Sequence, residues 1–423
     1  MHSASSTTGE PIRIPGEFHY WQNRDKPHVK RARLLFKTLF RFDPELPQDV
    51  IETYASSFYT ADPVAEDFVD EVYLKGDPVK GRAMLDKALE EGIDAVPDAP
   101  ASMKRLFAER EIAPEWLDQE KVAYGAKIFR RYGPELFTFF GAITLEGYSN
   151  NSVVKPLILT GAYAGGTTKT RFLETAAFWN DVSELDALVP GGAGWKTSMR
   201  VRIMHVFVRR RLINHPEWNE REWGVPISQG DALITLMAGC IAPGFVLRLA
   251  GFRTSEKDIE ALMHFWRYVG YLMGVQPPWF PSTVKEGLQF SFLAYAAGAN
   301  QAGEDGTNLC SSFNDAFAPK EEQLKGWRQK LQARLDHGVH RGFVSFFVSP
   351  ATRQQSGIPF AGLWAALPLA SAPAVFATET LVRRFPRLDE AVDKLARRRR
   401  QSWLDRHMGK RKAEYTAVAH FTR

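Results

Sequence analysis

The chain has 423 residues, with 54 lysines and arginines against 49 aspartates and glutamates, giving a formal net charge of +5. Hydrophobic residues make up 44% and charged residues 24%, which excludes a disordered chain, a collagen-like fibre and a disulfide-built miniprotein, and allows a sizeable core. The mild positive excess does not make a nucleic-acid binder, whereas an aromatic share of 12%, with 29 Phe, 12 Tyr and 11 Trp, implies a broad apolar interior with room for something flat.

In chain order, residues 1–16 are rich in Ser, Thr, Pro and Gly and hold no apolar stretch, so 1–18 reads as a flexible leader and not as a secretion signal. One continuous domain is expected over 19–396, followed by a basic tail over 397–423 that opens with Arg397, Arg398, Arg399 and Arg400. Apolar residues recurring with a period near 3.6 predict helices at 63–74, 80–91, 116–140 (broken near Gly133-Pro134), 256–273 and 320–335. Breaker clusters predict loops at 95–100, 161–170, 190–194 and 276–281. Alternating strand patterns are scarce, so the predicted fold class is all-α.

Two uncharged stretches bear on membranes. Residues 232–247 are short for a span and are interrupted by Gly239, Pro243 and Gly244; residues 354–378 are long enough for about one crossing but carry Pro359, Pro368 and Pro373. For 354–378, buried or interfacial packing is the expectation, with a transmembrane helix and peripheral membrane contact as alternatives. Cys240 and Cys310 cannot build a disulfide framework, a CxxC pair or a CxxCH haem attachment. A reducing, cytoplasmic setting fits that usage.

Several familiar motifs fail on inspection. The Gly-rich segments 161–168 and 191–197 resemble phosphate loops but lack the required Gly-Lys order. No GxSxG elbow, HExxH helix or Glu-x-x-His pair occurs. His337 and His340 flank Asp336 at helical spacing, but with no third ligand in view a surface pair is the simpler reading.

Two segments carry more chemistry. In residues 169–179, Arg171 and Thr175 share a helix face at i, i+4, with Glu174 between them. In residues 199–212, Arg202 and Arg209 are seven apart and nearly superposed on the helical wheel, with His205 between them among Val201, Met204, Phe207 and Val208. A neutral imidazole in apolar surroundings suits an axial haem-iron ligand, and fixed guanidiniums suit the two propionates of a haem b. The competing reading is a hydrogen-bonded core histidine beside snorkelling arginines, and His264 is a rival ligand by the same logic.

The pattern Arg171-x-x-x-Thr175 followed by Arg202-x-x-His205-x-x-x-Arg209 resembles the signature of the latex clearing protein family, part of a wider set with the fungal mpaB-type oxygenases. Residues 223–231 (WGVPISQGD) and 265–275 (FWRYVGYLMGV) resemble its later segments, and the likeness covers roughly 120–300. The resemblance implies a globin-like helical core around a b-type haem, with His205 as proximal ligand and Arg171 and Thr175 as a distal pair. It also implies oxidative cleavage of an isoprenoid C=C bond by O2. Where that family places a Lys before the Thr, this chain has Glu174, which cannot supply a neutral amine to the iron; a general base or a solvent-facing residue are the readings open to it. The expected partners are therefore O2 and a hydrophobic unsaturated substrate, with a non-catalytic haem or lipid carrier or sensor as the alternative function.

Overall fold

A computed structural model describes residues 12–161, 167–299, 301–319, 324–355, 357–409, 411, 413 and 415. The fold is all-α, and no strand occurs among the described residues. The leader expected over 1–18 is described from residue 12 onward, and its last part is docked: Gly16 N–H donates to the Arg221 carbonyl at 3.0 Å, and Phe18 is buried.

The helices that position the site begin with Pro63–Phe68 (α1), which Asp62 caps by accepting from the Ala65 N–H, and which continues as a π-turn over Val69–Leu74. Ala101–Glu111 (α2) packs against it. The pattern expected over 116–140 divides as anticipated into Gln119–Arg131 (α3) and Glu135–Gly147 (α4), because Gly133 adopts a φ of +62° and Pro134 follows it. Thr168–Ser183 (α5) and Ala193–Leu212 (α6) form the next pair. The expected loop over 161–170 is thus partly helical from Thr168, and its residues 162–166 lie outside the described ones.

Glu256–Leu272 (α7) starts with a reciprocal capping box between Ser255 and Asp258. It makes its most extensive contact with α3. Gly125 permits that approach, since a Cβ there would lie 2.1 Å from the Ala261 carbonyl oxygen. Phe129 fills the seam between Phe265 and Trp266, with ring centroids 5.7 and 5.3 Å away. Much of the aromatic excess is spent on such packing: Phe68, Phe129, Phe137, Phe139, Phe265 and Phe290 are all fully buried.

Three long helices follow among the described residues, with a short one at Pro350–Gln355 between the first two. Trp327–Phe347 (α8) begins later than the helix expected at 320–335, because Gly326 has a φ of +81°; residues 320–323 lie outside the described ones. Leu367–Arg384 (α9) follows a 3₁₀ turn at Gly362–Ala366. Pro386–Met408 (α10) overrides the boundary expected at 397: the arginine run lies inside a helix that packs on α3 and α5. Arg400 is fully buried and donates to the Trp179 carbonyl and to Ser183, while Arg397 and Arg399 pair with Glu184 and Glu135. The part of the supposed basic tail up to Met408 is thus structural, because Arg397, Arg399 and Arg400 find acceptors on α4, α5 or the turn after α5.

Candidate functional site

The site is built on α5 and α6, which pack along one another. Gly194 lets the start of α6 settle on the end of α5, where a Cβ would lie 2.7 Å from the Val182 Cα. Thr197 then donates to Asp181 at 3.3 Å. Burial raises the Asp181 carboxyl to about 6.

Helix α6 presents Arg202 to one set of partners and Arg209 to another. Arg202 is wholly buried and grips Asp62 through Nε–Oδ2 at 2.7 Å and Nη2–Oδ1 at 2.8 Å, with Nη2 also reaching Glu109 at 2.8 Å. Glu109 in turn pairs with Arg110, whose guanidinium lies 4.0 Å from the Tyr271 ring centroid. Burial alone would raise Glu109, but Arg202 and Arg110 hold it below its ordinary value. Gly274, with a φ of +79°, leaves the space this pair needs: a Cβ would stand 2.0 Å from Asp62 Oδ2.

Arg209 donates from Nε to the Pro226 carbonyl at 2.9 Å and from Nη2 to the Ile227 carbonyl at 2.6 Å, and its Nη1 meets Glu66 at 3.4 Å. Those bonds hold Ile227 at a φ of +52°, an unfavourable region for a β-branched residue. Gln229 ties the same segment to the Ala61 and Gly274 carbonyls and accepts from the Gln276 N–H at 2.7 Å. The segments 223–231 and 265–275 therefore converge on the two arginines of α6.

This geometry corrects the role expected for both arginines. Their donors are committed to carboxylates and carbonyls of the protein, so neither Arg202 nor Arg209 stands ready as a propionate partner. Arg202 Nη1 is the exception, buried without a partner among the described residues. The sequence reading missed Asp62, Glu66 and Glu109; the signal for them was physical, since two buried guanidiniums demand carboxylates nearby.

His205 lies between the two arginine clusters. Burial, assisted by Arg209 one turn away, pushes its imidazole down to about 4, so the ring is neutral at ordinary pH. Its side chain keeps some accessible surface, and no hydrogen bond to it occurs among the described residues. That is not the hydrogen-bonded core histidine of the competing reading. His264, the rival, accepts from the Asp118 N–H at 3.0 Å and sits edge-on to Trp116. It acts as a brace between α7 and the start of α3. His340 is not a surface residue but is buried against Phe317, with ring centroids 4.5 Å apart, and no metal-holding cluster of His, Cys, Asp and Glu occurs among the described residues.

On α5, Arg171 Nη1 pairs with Glu174 at 2.9 Å, and Thr175 donates its hydroxyl proton to the Arg171 carbonyl at 3.0 Å. Glu174 is thus the counter-ion of Arg171 and faces neither bulk solvent nor an empty space alone. Alongside, a cleft of about 580 Å³ is lined by Asn180, Asp181, Thr197, Arg200, Asp405 and Tyr415 among others; neither His205 nor Thr175 contributes to it.

Comparison with known proteins agrees with this architecture. Rubber oxygenase of Streptomyces sp. (strain K30) is 28% identical over 233 residues, 53% of this chain and 54% of that protein, so the chain spans about half the length of the curated relative it matches. The solved structure described as "Structure of Latex Clearing Protein LCP in the closed state" aligns with a TM-score of 0.57 and 19% identity, over 80% of this chain and 91% of that one, a likeness of fold. Residues 129–384 match the family described as ER-bound oxygenase mpaB/B′/Rubber oxygenase, catalytic domain. That match takes in more than half of the chain, both helices of the site and both convergent segments, and the protein belongs to this oxygenase family.

Proposed function

We propose that this chain is a haem b-dependent oxygenase that uses O2 to oxidise or cleave a C=C bond of a hydrophobic, isoprenoid-like or otherwise unsaturated substrate. The observation that carries the reading is His205: a neutral imidazole, flanked on its helix by Val201, Met204, Phe207 and Val208 and lying between two buried ion-pair networks, with no hydrogen-bond partner among the described residues. His205 would be the residue that holds the iron of a bound haem. Propionate contacts from Arg202 and Arg209 do not fit, apart from the free Nη1 edge of Arg202.

A bound haem would supply O2 activation, and insertion of both oxygen atoms across a double bond gives two carbonyls with no external reductant. The chain's own residues do the rest. Arg202 and Arg209 fix the azimuth of α6 by clamping it to Asp62, Glu109 and the 226–227 carbonyls, so His205 is held in one orientation. Arg171, neutralised by Glu174, keeps N–H donors beyond that bond, and Thr175 offers hydroxyl lone pairs. Both groups can orient a polar atom next to an apolar substrate.

The test is spectroscopic. Purified protein supplied with haem should show a Soret band and consume O2 with an unsaturated polyisoprenoid such as squalene, and His205→Ala should lose the band or shift it. A protein that takes up no haem, or whose spectrum ignores His205→Ala, overturns the assignment; haem binding without O2 consumption on any unsaturated lipid leaves a carrier or sensor.

A further inference from the structure

A second surface, on a helix other than the one that carries His205, has a composition that water does not explain. The 23 residues Gly362–Arg384 form a helix long and apolar enough to cross a bilayer, yet only 17% of its most apolar stretch is buried. Leu363 is 94% exposed, Leu369 52%, Phe376 53% and Leu381 50%, and Phe360 and Phe385 at the two ends are 60% and 54% exposed. The packing expected for the uncharged stretch 354–378 is therefore not burial.

The polarity of this helix is inverted relative to a surface helix of a soluble protein. Its inward positions include Glu379, which is buried, accepts from the Arg253 N–H at 3.4 Å and lies 3.7 Å from Arg131. From Leu363 to Ala377 its exposed positions are only Leu, Trp, Ala, Pro and Phe, and the one polar residue in that stretch, Ser371, is half-buried. A contiguous apolar face of that kind marks a partner or a lipid surface.

The rim selects between them. From residue 350 to 387 the chain carries four arginines and one carboxylate, and that carboxylate is the inward Glu379. Arg353 lies over Phe360 at 5.2 Å, Arg253 lies over Phe376 at 5.1 Å, and Arg384 and Arg387 are exposed at the far end. Leucine and phenylalanine with a border of arginines match the two layers of an anionic leaflet, acyl chains below and phosphates above. A span is the wrong geometry, because α9 packs along its length on the Leu247–Ala250 turn, α8 and α10. At Gly251 a Cβ would lie 2.2 Å from the Ala372 carbonyl oxygen, so the helix is seated directly on the body of the protein.

We infer that the outward face of Gly362–Arg384, with Phe360 and Phe385, docks flat on an anionic membrane surface, inserting its apolar side chains while Arg353, Arg384 and Arg387 contact lipid phosphates. The inference stands apart from the haem reading, since none of these residues lies on α5 or α6.

Flotation of the full chain with vesicles tests it. Binding is expected to phosphatidylglycerol/phosphatidylcholine vesicles and to be weaker to phosphatidylcholine alone. Leu363→Glu combined with Phe376→Glu should lower the partition by at least about tenfold, with circular dichroism, melting temperature and haem content unchanged. Arg353→Gln with Arg384→Gln and Arg387→Gln should remove the preference for anionic vesicles while leaving residual binding to both. Wild-type protein that floats with neither vesicle, or binding that survives the double glutamate variant, overturns the inference. So does light scattering that finds a dimer which the double glutamate variant splits, because the face would then be covered by a second copy of the chain.

Discussion

Arg202 on α6 and Asp62 at the start of α1 meet through two parallel hydrogen bonds of 2.7 and 2.8 Å, with both side chains out of solvent. A bidentate pair of this kind fixes the rotation of α6 as well as its position, and His205 lies less than one turn further along the same helix. The pair joins residues 140 positions apart in the sequence.

Truncating one side of that pair strands a buried charge. Arg202→Leu leaves the buried Asp62 carboxylate without its cation and Glu109 with Arg110 alone, and should cost about 3–5 kcal/mol in chemical denaturation. Asp62→Leu combined with Arg202→Leu should cost less than the sum of the single changes, with Glu109 still held by Arg110. Equal and additive losses would show that the two side chains are energetically independent.

Glu174 distinguishes counter-ion from base. Gln in its place can still accept from Arg171 Nη1, so O2 consumption by Glu174→Gln should stay within about threefold of the parent, whereas loss of a general base costs about 10²–10⁴-fold. Glu174→Ala, which frees Arg171, should be the more damaging of the two. The reverse order, or a steep loss in the Gln variant, would assign proton transfer to Glu174.

His340 predicts acid sensitivity. Burial against Phe317, with His337 and His407 nearby, pushes its ring down to about 3. The unfolded chain takes up a proton near pH 6.5 that the folded chain refuses, so stability falls as pH drops from about 6.5 toward 3. His340→Gln should flatten that limb of the stability profile, measured as the urea midpoint against pH. An unchanged slope would place the acid-sensitive group elsewhere.

Asp181 carries the opposite sign. Its carboxyl is raised to about 6 mainly by burial, so the folded state keeps a proton that the unfolded state loses near pH 3.8. Stability is then lost as pH rises between about 4 and 6, and at neutral pH the buried carboxylate costs at most about 3 kcal/mol. Asp181→Asn should raise the melting temperature at pH 7 and make little difference at pH 4. A destabilised Asn variant at pH 7 would show that the Thr197 and Tyr415 contacts outweigh the desolvation.

What the sequence by itself determined was local. The helical period, the break at Gly133-Pro134 and the face shared by Arg171 and Thr175 all depend on neighbours within a turn or two, and each appears where expected. The apolar company of His205 was legible for the same reason. Tertiary structure decided who pairs with whom. Asp62, Glu66 and Glu109 claim the two α6 arginines from at least 93 residues away, Arg400 turns from a supposed tail into a fully buried brace, and Glu379 turns inward while Phe376 turns out. A guanidinium looks the same in sequence whether it awaits a carboxylate of the protein or one from a ligand; only the path of the chain through space settles which acceptor arrives first.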